Sequence, residues 1–243
     1  MPILNRQFFW LPYRYLLISS KDAVTLGVML GQAAFIGWLC ATMWQRIQGE
    51  GLTLILVMSV IWLGLIGSCR EIVKERNIFE RERLRGIRND AYLLSKFIVL
   101  AFWSLIQVLL LLTMIELKFS LPGAFVIQAF SLWLISLSGI ALGLLISASA
   151  HRQDIAVIAV PLILIPQLLF SSKILPADAH TGFIERVKLF MPTYWGERMF
   201  NHSLAVPLQL SESLIPFIAI SCLILFFLIF TFTLLAFIKR RIR

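Results

Sequence analysis

Side chains equipped for covalent or metal chemistry are few and scattered in this chain. Of the three histidines, His151 stands at the end of an apolar run, while His180 and His202 lie in a long polar connection. Intramembrane proteolysis by a serine needs a histidine beside it within the apolar segments, and none is there. Cys40, Cys69 and Cys222 sit in or at the ends of apolar runs, with no CxxC spacing and no neighbouring histidine cluster. They read as small apolar thiols buried in helices, not as metal ligands or a disulfide framework. No GxxxxGK[ST] loop occurs in the 243 residues, so nucleotide phosphates have no cradle here. Neither a catalytic residue, nor a metal site, nor a cofactor is therefore expected in this chain.

One stretch does gather chemistry. "REIVKERNIFERERLRGIRND", residues 70–90, carries seven basic and five acidic side chains between two apolar runs. Residues 70–88 contain no proline and predict about five helical turns. On such a helix Ile72, Val73, Phe79, Leu84 and Ile87 fall within an arc of about 140°, but Arg76, Glu80 and Arg83 interrupt it. Pairs Arg76–Glu80, Glu80–Arg83 and Glu82–Arg85 at helical spacing would neutralise one another. The block is too polar to enter lipid and too mixed in sign to be a lipid-binding basic patch. It reads as a protein-docking element under a membrane, or else as a solvated loop that fixes topology.

The surrounding elements explain the membrane. With 59% hydrophobic and 14% charged residues, the composition is far from that of a soluble domain of this size. Uncharged stretches run over 23–45, 51–69, 97–115, 119–150, 155–172 and 213–238, each near or above the roughly 20 residues a crossing helix needs. The third helix is expected from 92, since Lys96 falls in its first turns, and the fourth from about 124, after Pro122-Gly123. The fold expected is an all-α membrane protein, a single domain of six spans near 23–45, 51–69, 92–115, 124–150, 155–172 and 213–238. Residues 1–22 lack a signal-peptide core and read as lying on the membrane surface.

Charge decides orientation. With both termini inside, the inner segments 1–22, 70–90, 151–154 and 239–243 hold 15 Lys and Arg, against 6 in the outer ones. That bias places the termini and the 70–90 block in the cytoplasm of a multi-pass protein of the cell membrane. The net charge of +9 is then a topology signal, and no nucleic-acid partner is implied. The segment 171–212 becomes the one long external loop, with a helix-like middle in "GFIERVKLFMPTYWGERMF", expected to fold back on the outer leaflet. No span carries an ionisable group at mid-depth, and Lys96 is expected to snorkel to the interface. A transporter of this kind would need energy from a separate subunit, and 70–90 is the largest surface on which to receive it. Gly27-x-x-x-Gly31 and Gly139-x-x-x-Gly143 would let helices approach closely. Pro161, Pro166 and Gln167 in the fifth span suggest a kinked wall for a substrate path, or plain kinking.

"KERNIFERERLRGIRNDAYLLSK", 74–96, resembles the segment after the second span in the G subfamily of ATP-binding cassette transporters, within the type-2 exporter permeases. The pattern Glu-Arg-x-x-Phe-x-Arg-Glu, then Gly, Tyr and Ser-Lys, is matched by Glu75, Arg76, Phe79, Arg81, Glu82, Gly86, Tyr92, Ser95 and Lys96. The layout of 1–243 also fits, residues 1–22 standing where that family has an amphipathic, interfacial connecting helix, and "MPTYWGERMF" loosely resembles the end of that family's external loop. The resemblance implies a homodimer with a nucleotide-binding ATPase docked on a 70–90 coupling helix, ATP and Mg being held by the ATPase. Arg81, Glu82, Arg83 and Arg85 would make the docking contact, and Glu75, Arg76 and Phe79 would fix the helix against the spans. A substrate cavity between two copies, walled by the second and fifth spans, would involve Met58, Trp62, Leu164, Gln167, Leu168 and Leu169. This chain departs from the family in having no fused ATPase and no cysteine pair in the external loop, which favours a bacterial split system.

Two functions follow as expectations. One is the permease subunit of an ATP-driven exporter of a lipid, glycolipid or drug-like molecule, acting by alternating access. The other is a membrane scaffold or assembly factor that recruits a cytoplasmic partner through 70–90 without transport.

Overall fold

The computed structural model describes residues 2–44, 51–171, 173–174, 182–205 and 210–238. The basic tail 239–243, the connection 46–50 between the first two expected spans, His180 and parts of the 171–212 connection lie outside the described residues, so the expectations placed on them have no structural counterpart. Ten α-helices and no strand occur among the described residues: α1 Pro2–Lys21, α2 Ala23–Trp44, α3 Gly51–Ser68, α4 Arg76–Leu84, α5 Asn89–Glu116, α6 Phe125–Ser149, α7 Gln153–Leu169, α8 Gly182–Lys188, α9 Pro192–Leu204 and α10 Leu210–Ile238. Helices α2, α5, α6 and α10, together with the segment that begins at α3, are long and apolar enough to cross a membrane. The fifth expected span is α7, which runs through both Pro161 and Pro166 and, at 17 residues, falls at the short limit for a crossing.

Burial places α6 at the hub. Of its most apolar stretch 83% is buried, against 17% for α2 and 33% for α10, so those two turn most of their surface outward. Lipid tails are as apolar as leucine, so helices in a bilayer adhere through close packing more than through exclusion of water. Glycine supplies that closeness between α3 and α6. A Cβ on Gly139 would stand 2.6 Å from the Ile61 carbonyl oxygen, and one on Gly64 would stand 2.5 Å from that of Ser136. Gly143 abuts Leu65 and Ser68 in the same way. The Gly139-x-x-x-Gly143 motif is thus spent inside one chain, whereas Gly27 and Gly31 face open space.

Side-chain amides and indoles tie the rest together. Gln107 donates to the Met29 carbonyl at 2.9 Å, joining α5 to α2, and Trp133 donates to the Ala101 carbonyl at 2.9 Å, joining α6 to α5. Such bonds satisfy polar groups that would otherwise be stranded in hydrocarbon. Cys40 and Cys69 are buried as expected, but Cys222 is exposed on the outer side of α10. The helix-like middle of the 171–212 connection is two helices, with Pro192 opening the second at a position where its missing N–H costs nothing. Helix α9 does more than cover the bundle. Thr193, Gly196, Glu197, Met199 and Phe200 are buried, and a Cβ on Gly196 would press within 2.9 Å of Val57.

Candidate functional site: the charged network at the α4 end

The 70–90 segment does not form the single five-turn helix that its sequence allows. Ser147 on α6 accepts hydrogen bonds from the Ile72 and Val73 amides at 2.9 and 3.0 Å, which draws those amides out of a helical ladder. A 3-10 turn over Val73–Glu75 follows, and then the nine residues of α4. Gly86, at φ +97°, ends α4: its amide bonds to the Arg83 carbonyl, and that of Ile87 to Glu82, the paired pattern of a Schellman C-terminus. The interrupted apolar arc therefore resolves by position. Ile72, Val73 and Phe79 are buried, while Leu84 is 88% exposed.

Several charged groups of this segment find partners far away in sequence, while Lys74 pairs locally with Glu71 and Arg88 with Asp90. The three pairs expected within the helix are absent from the ion pairs of the described residues. Glu82 instead takes both guanidinium nitrogens of Arg14 on α1, at 2.7 and 3.0 Å. That hydrogen bond, outweighing the cost of burial, raises the Arg14 pKa above its ordinary value. Glu71 accepts from the Tyr15 hydroxyl of α1 and from Lys74 at 3.0 Å. Arg76 donates to the Ala148 carbonyl at 2.8 Å, a cation on the negative end of α6. Arg83 points the other way, over the Phe79 ring and towards the Leu235 carbonyl of α10. Phe79 itself stacks on Tyr92 of α5 with ring centres 3.9 Å apart.

Lys96 corrects the expectation made for it. It does not reach for water: the residue is 1% exposed, with its ammonium 2.6 Å from Glu75, 3.6 Å from Glu71 and 3.6 Å from the centre of the Tyr15 ring. A snorkelling lysine leaves the protein, whereas two carboxylates and an aromatic face compensate this one where it stands. Glu75, Arg76 and Phe79 thus tie the start of α4 to α5 and α6. Of the four residues expected to dock a partner, Arg81 and Arg85 are exposed, while Glu82 and Arg83 are turned back to α1 and α10. Asn77, Arg81, Leu84 and Arg85 share the outward face at spacings of four, three and one. Sequence reasoning missed Arg14, Tyr15, Glu71 and Ser147, whose partners stand 56 to 75 residues away.

The residues expected to wall a cavity divide as well. Met58, Trp62, Leu164 and Leu168 line one open groove of about 470 Å³ between α2, α3 and α7, with Ile36 and Pro161 on its walls. Gln167 faces the other side of α7, buried, where its carbonyl oxygen accepts from Thr193 of α9 at 3.0 Å. The Thr193 hydroxyl also lies 3.4 Å from the Met58 sulfur, and the Ser171 hydroxyl donates to the buried Glu197. Leu169 is exposed and lies outside the groove. No group of histidine, cysteine, aspartate or glutamate that could hold a metal ion occurs among the described residues.

Residues 6–205 match the family model described as ABC-2 type transporter, a span that includes most of α1, the groove and the network apart from its contact with α10. The chain belongs to the ABC-2 type transporter family. It is a multi-pass membrane protein and the transmembrane component of an ABC transporter, a kind of domain that pairs with an ATPase subunit. No curated protein matches it. In the ABC-2 domain the network and the groove lie on adjoining helices, since α3 carries Met58 and Trp62 and leads directly into Glu71 and Glu75.

Proposed function

We propose that this ABC-2 domain is the permease of an ATP-driven exporter related to the G subfamily. It works as a homodimer, with ATP and Mg bound by a separate subunit that docks on the cytoplasmic face of α4. Both termini lie in the cytoplasm. The exported molecule is hydrophobic or amphipathic, a lipid, glycolipid or drug-like compound, and moves by alternating access.

The observation that carries this reading is the division of labour on α4. Its inward residues grip α1, α5, α6 and α10, and its outward face offers Arg81, Leu84 and Arg85 to whatever lies below, neither arginine in an ion pair among the described residues. A leucine left bare between two arginines is costly in water and suits an apolar pocket with an acidic rim on a partner. A push on that face reaches four helices through direct side-chain contacts. The groove supports the substrate class, because its volume falls within the range of small-molecule sites and its walls are almost wholly apolar.

The test is the pair of charge reversals Arg81→Glu and Arg85→Glu in the complex purified from native membranes into lipid. The expected result is loss of ATPase recovery and of ATP hydrolysis, with the permease still folded. Undiminished recovery defeats the docking face, and a wild-type complex without ATP hydrolysis above background points to the scaffold function.

A further inference from the structure

The bundle holds a second cavity, a cleft of about 420 Å³ that shares no residue with the α2–α3–α7 groove. It opens where the end of α1 meets the start of α2 and the turn after α3, at the level of the lipid headgroups for any helix that begins its crossing near Ala23. Its mouth carries Asp22, Arg70, Glu71 and Lys74, and its floor Val28, Met29, Leu100 and Trp103.

We propose that this cleft binds one glycerophospholipid with a zwitterionic headgroup, its phosphodiester on Arg70 and Lys74 and one acyl chain running along α2 past Val28 towards Trp103. Three independent features lead there. Arg70 is the uncommitted ion of the mouth. Glu71 is occupied by Tyr15, Lys74 and Lys96, and Asp22 accepts from the Thr25 amide and hydroxyl, whereas the Arg70 guanidinium makes no hydrogen bond or ion pair among the described residues. A guanidinium held at a membrane surface with nothing to bind is matched by a phosphate. The Trp103 indole N–H is the second feature, buried at the cleft with no acceptor among the described residues, and a lipid ester carbonyl would supply one. The third is the bare wall: nothing stands within 4 Å of a Cβ at Gly27 or Gly31, and Val24 and Val28 are exposed. A chain can therefore continue from the cleft along α2 into the bilayer.

Charge selects the headgroup. The four ionised groups of the mouth sum to zero, and Asp22 retains its negative charge beside the cationic pair. A phosphate with an attached ammonium, as in phosphatidylethanolamine, meets both signs, while a purely anionic headgroup meets Asp22 with repulsion. Nothing in this inference depends on transport or on an ATPase, only on the chain lying in a membrane.

Native mass spectrometry of the full chain in detergent, titrated with phosphatidylethanolamine or phosphatidylglycerol, tests it. One phosphatidylethanolamine per chain should persist in preference to phosphatidylglycerol. Arg70→Ala should weaken it by about tenfold or more, the loss of a charged hydrogen bond. Val28→Trp, which fills the cleft from an exposed position, should displace it equally, and Lys118→Ala, at the far end of α5, should leave it unchanged. Binding that is indifferent to Arg70→Ala and Val28→Trp, or stronger for phosphatidylglycerol, overturns the assignment. Monodisperse elution of each variant separates lost lipid from lost fold.

Discussion

Replacing Lys96 by methionine keeps the length and apolar volume of the side chain and removes only its charge. Glu75 and Glu71 then remain against α5 with no cation, and Tyr15 loses the ammonium from its ring face. Removing one partner of a buried ion pair costs about 3–5 kcal/mol. The lower end applies, because the Glu75 and Glu71 side chains keep 23% and 13% of their exposure and can draw in some water. The cation–aromatic contact adds about 1 kcal/mol. The expected loss is therefore roughly 3–4 kcal/mol of folding free energy. Glu75→Gln in the Lys96→Met background should restore part of it, giving a coupling energy of about 2 kcal/mol in a double-mutant cycle. Reversible unfolding by SDS in mixed micelles, followed by circular dichroism, measures all four corners. If Lys96→Met costs under about 0.5 kcal/mol and the two changes are additive, the lysine reaches water and the network reasoning is wrong.

Three further perturbations probe the frame around that network. Gly139→Leu forces a side chain against the Ile61 backbone, which cannot step aside as a flexible side chain could, so destabilisation should reach at least the upper part of the usual 1–3 kcal/mol for overpacking, about 3 kcal/mol. Gly27→Leu, placed in open space, should change the yield of monodisperse protein little. Asp22 caps α2 through Thr25, and those hydrogen bonds lower its pKa below the ordinary 3.8. A depressed carboxylate stabilises the fold above its unfolded pKa and loses that contribution as pH falls through the folded value. The gap in thermal stability between wild type and Asp22→Ala should hold steady from about pH 5 to 8 and close below about pH 4.

Hydropathy located the apolar helices, five of them long enough to cross a membrane, because a helix buried in lipid and one buried in protein need the same apolar residues. That equivalence is also why sequence could not tell the deeply buried α6 from the mostly exposed α2. The charged block was plain to see, yet its pairing was not. Spacing of three and four along a helix is a local rule, and it suggested Glu82–Arg85 where the fold chose Glu82–Arg14 across 68 residues. Lys96 was misjudged for the same reason: its carboxylates come from the other side of α4, and a lone lysine near an apolar run looks destined for water. In the groove, Met58, Trp62, Leu164 and Leu168 converged because they share helix faces at regular spacing. Gln167 and Leu169 adjoin Leu168 in sequence, and on a helix that adjacency turns them to other sides.

Where two helices touch backbone to backbone, no rotamer can be exchanged to let one ratchet past the other. The glycine seam makes α3 and α6 a single stiff keel, and Ser147 and Arg76 fasten the 70–90 segment to the α6 end of it. Force entering through α4 would turn that keel as a block. The freedom to widen or narrow the apolar groove is left to its other two sides, α2 with Ile36 and α7 with Leu164, Ile165 and Leu168, the latter helix carrying two prolines in place of a full hydrogen-bonded ladder.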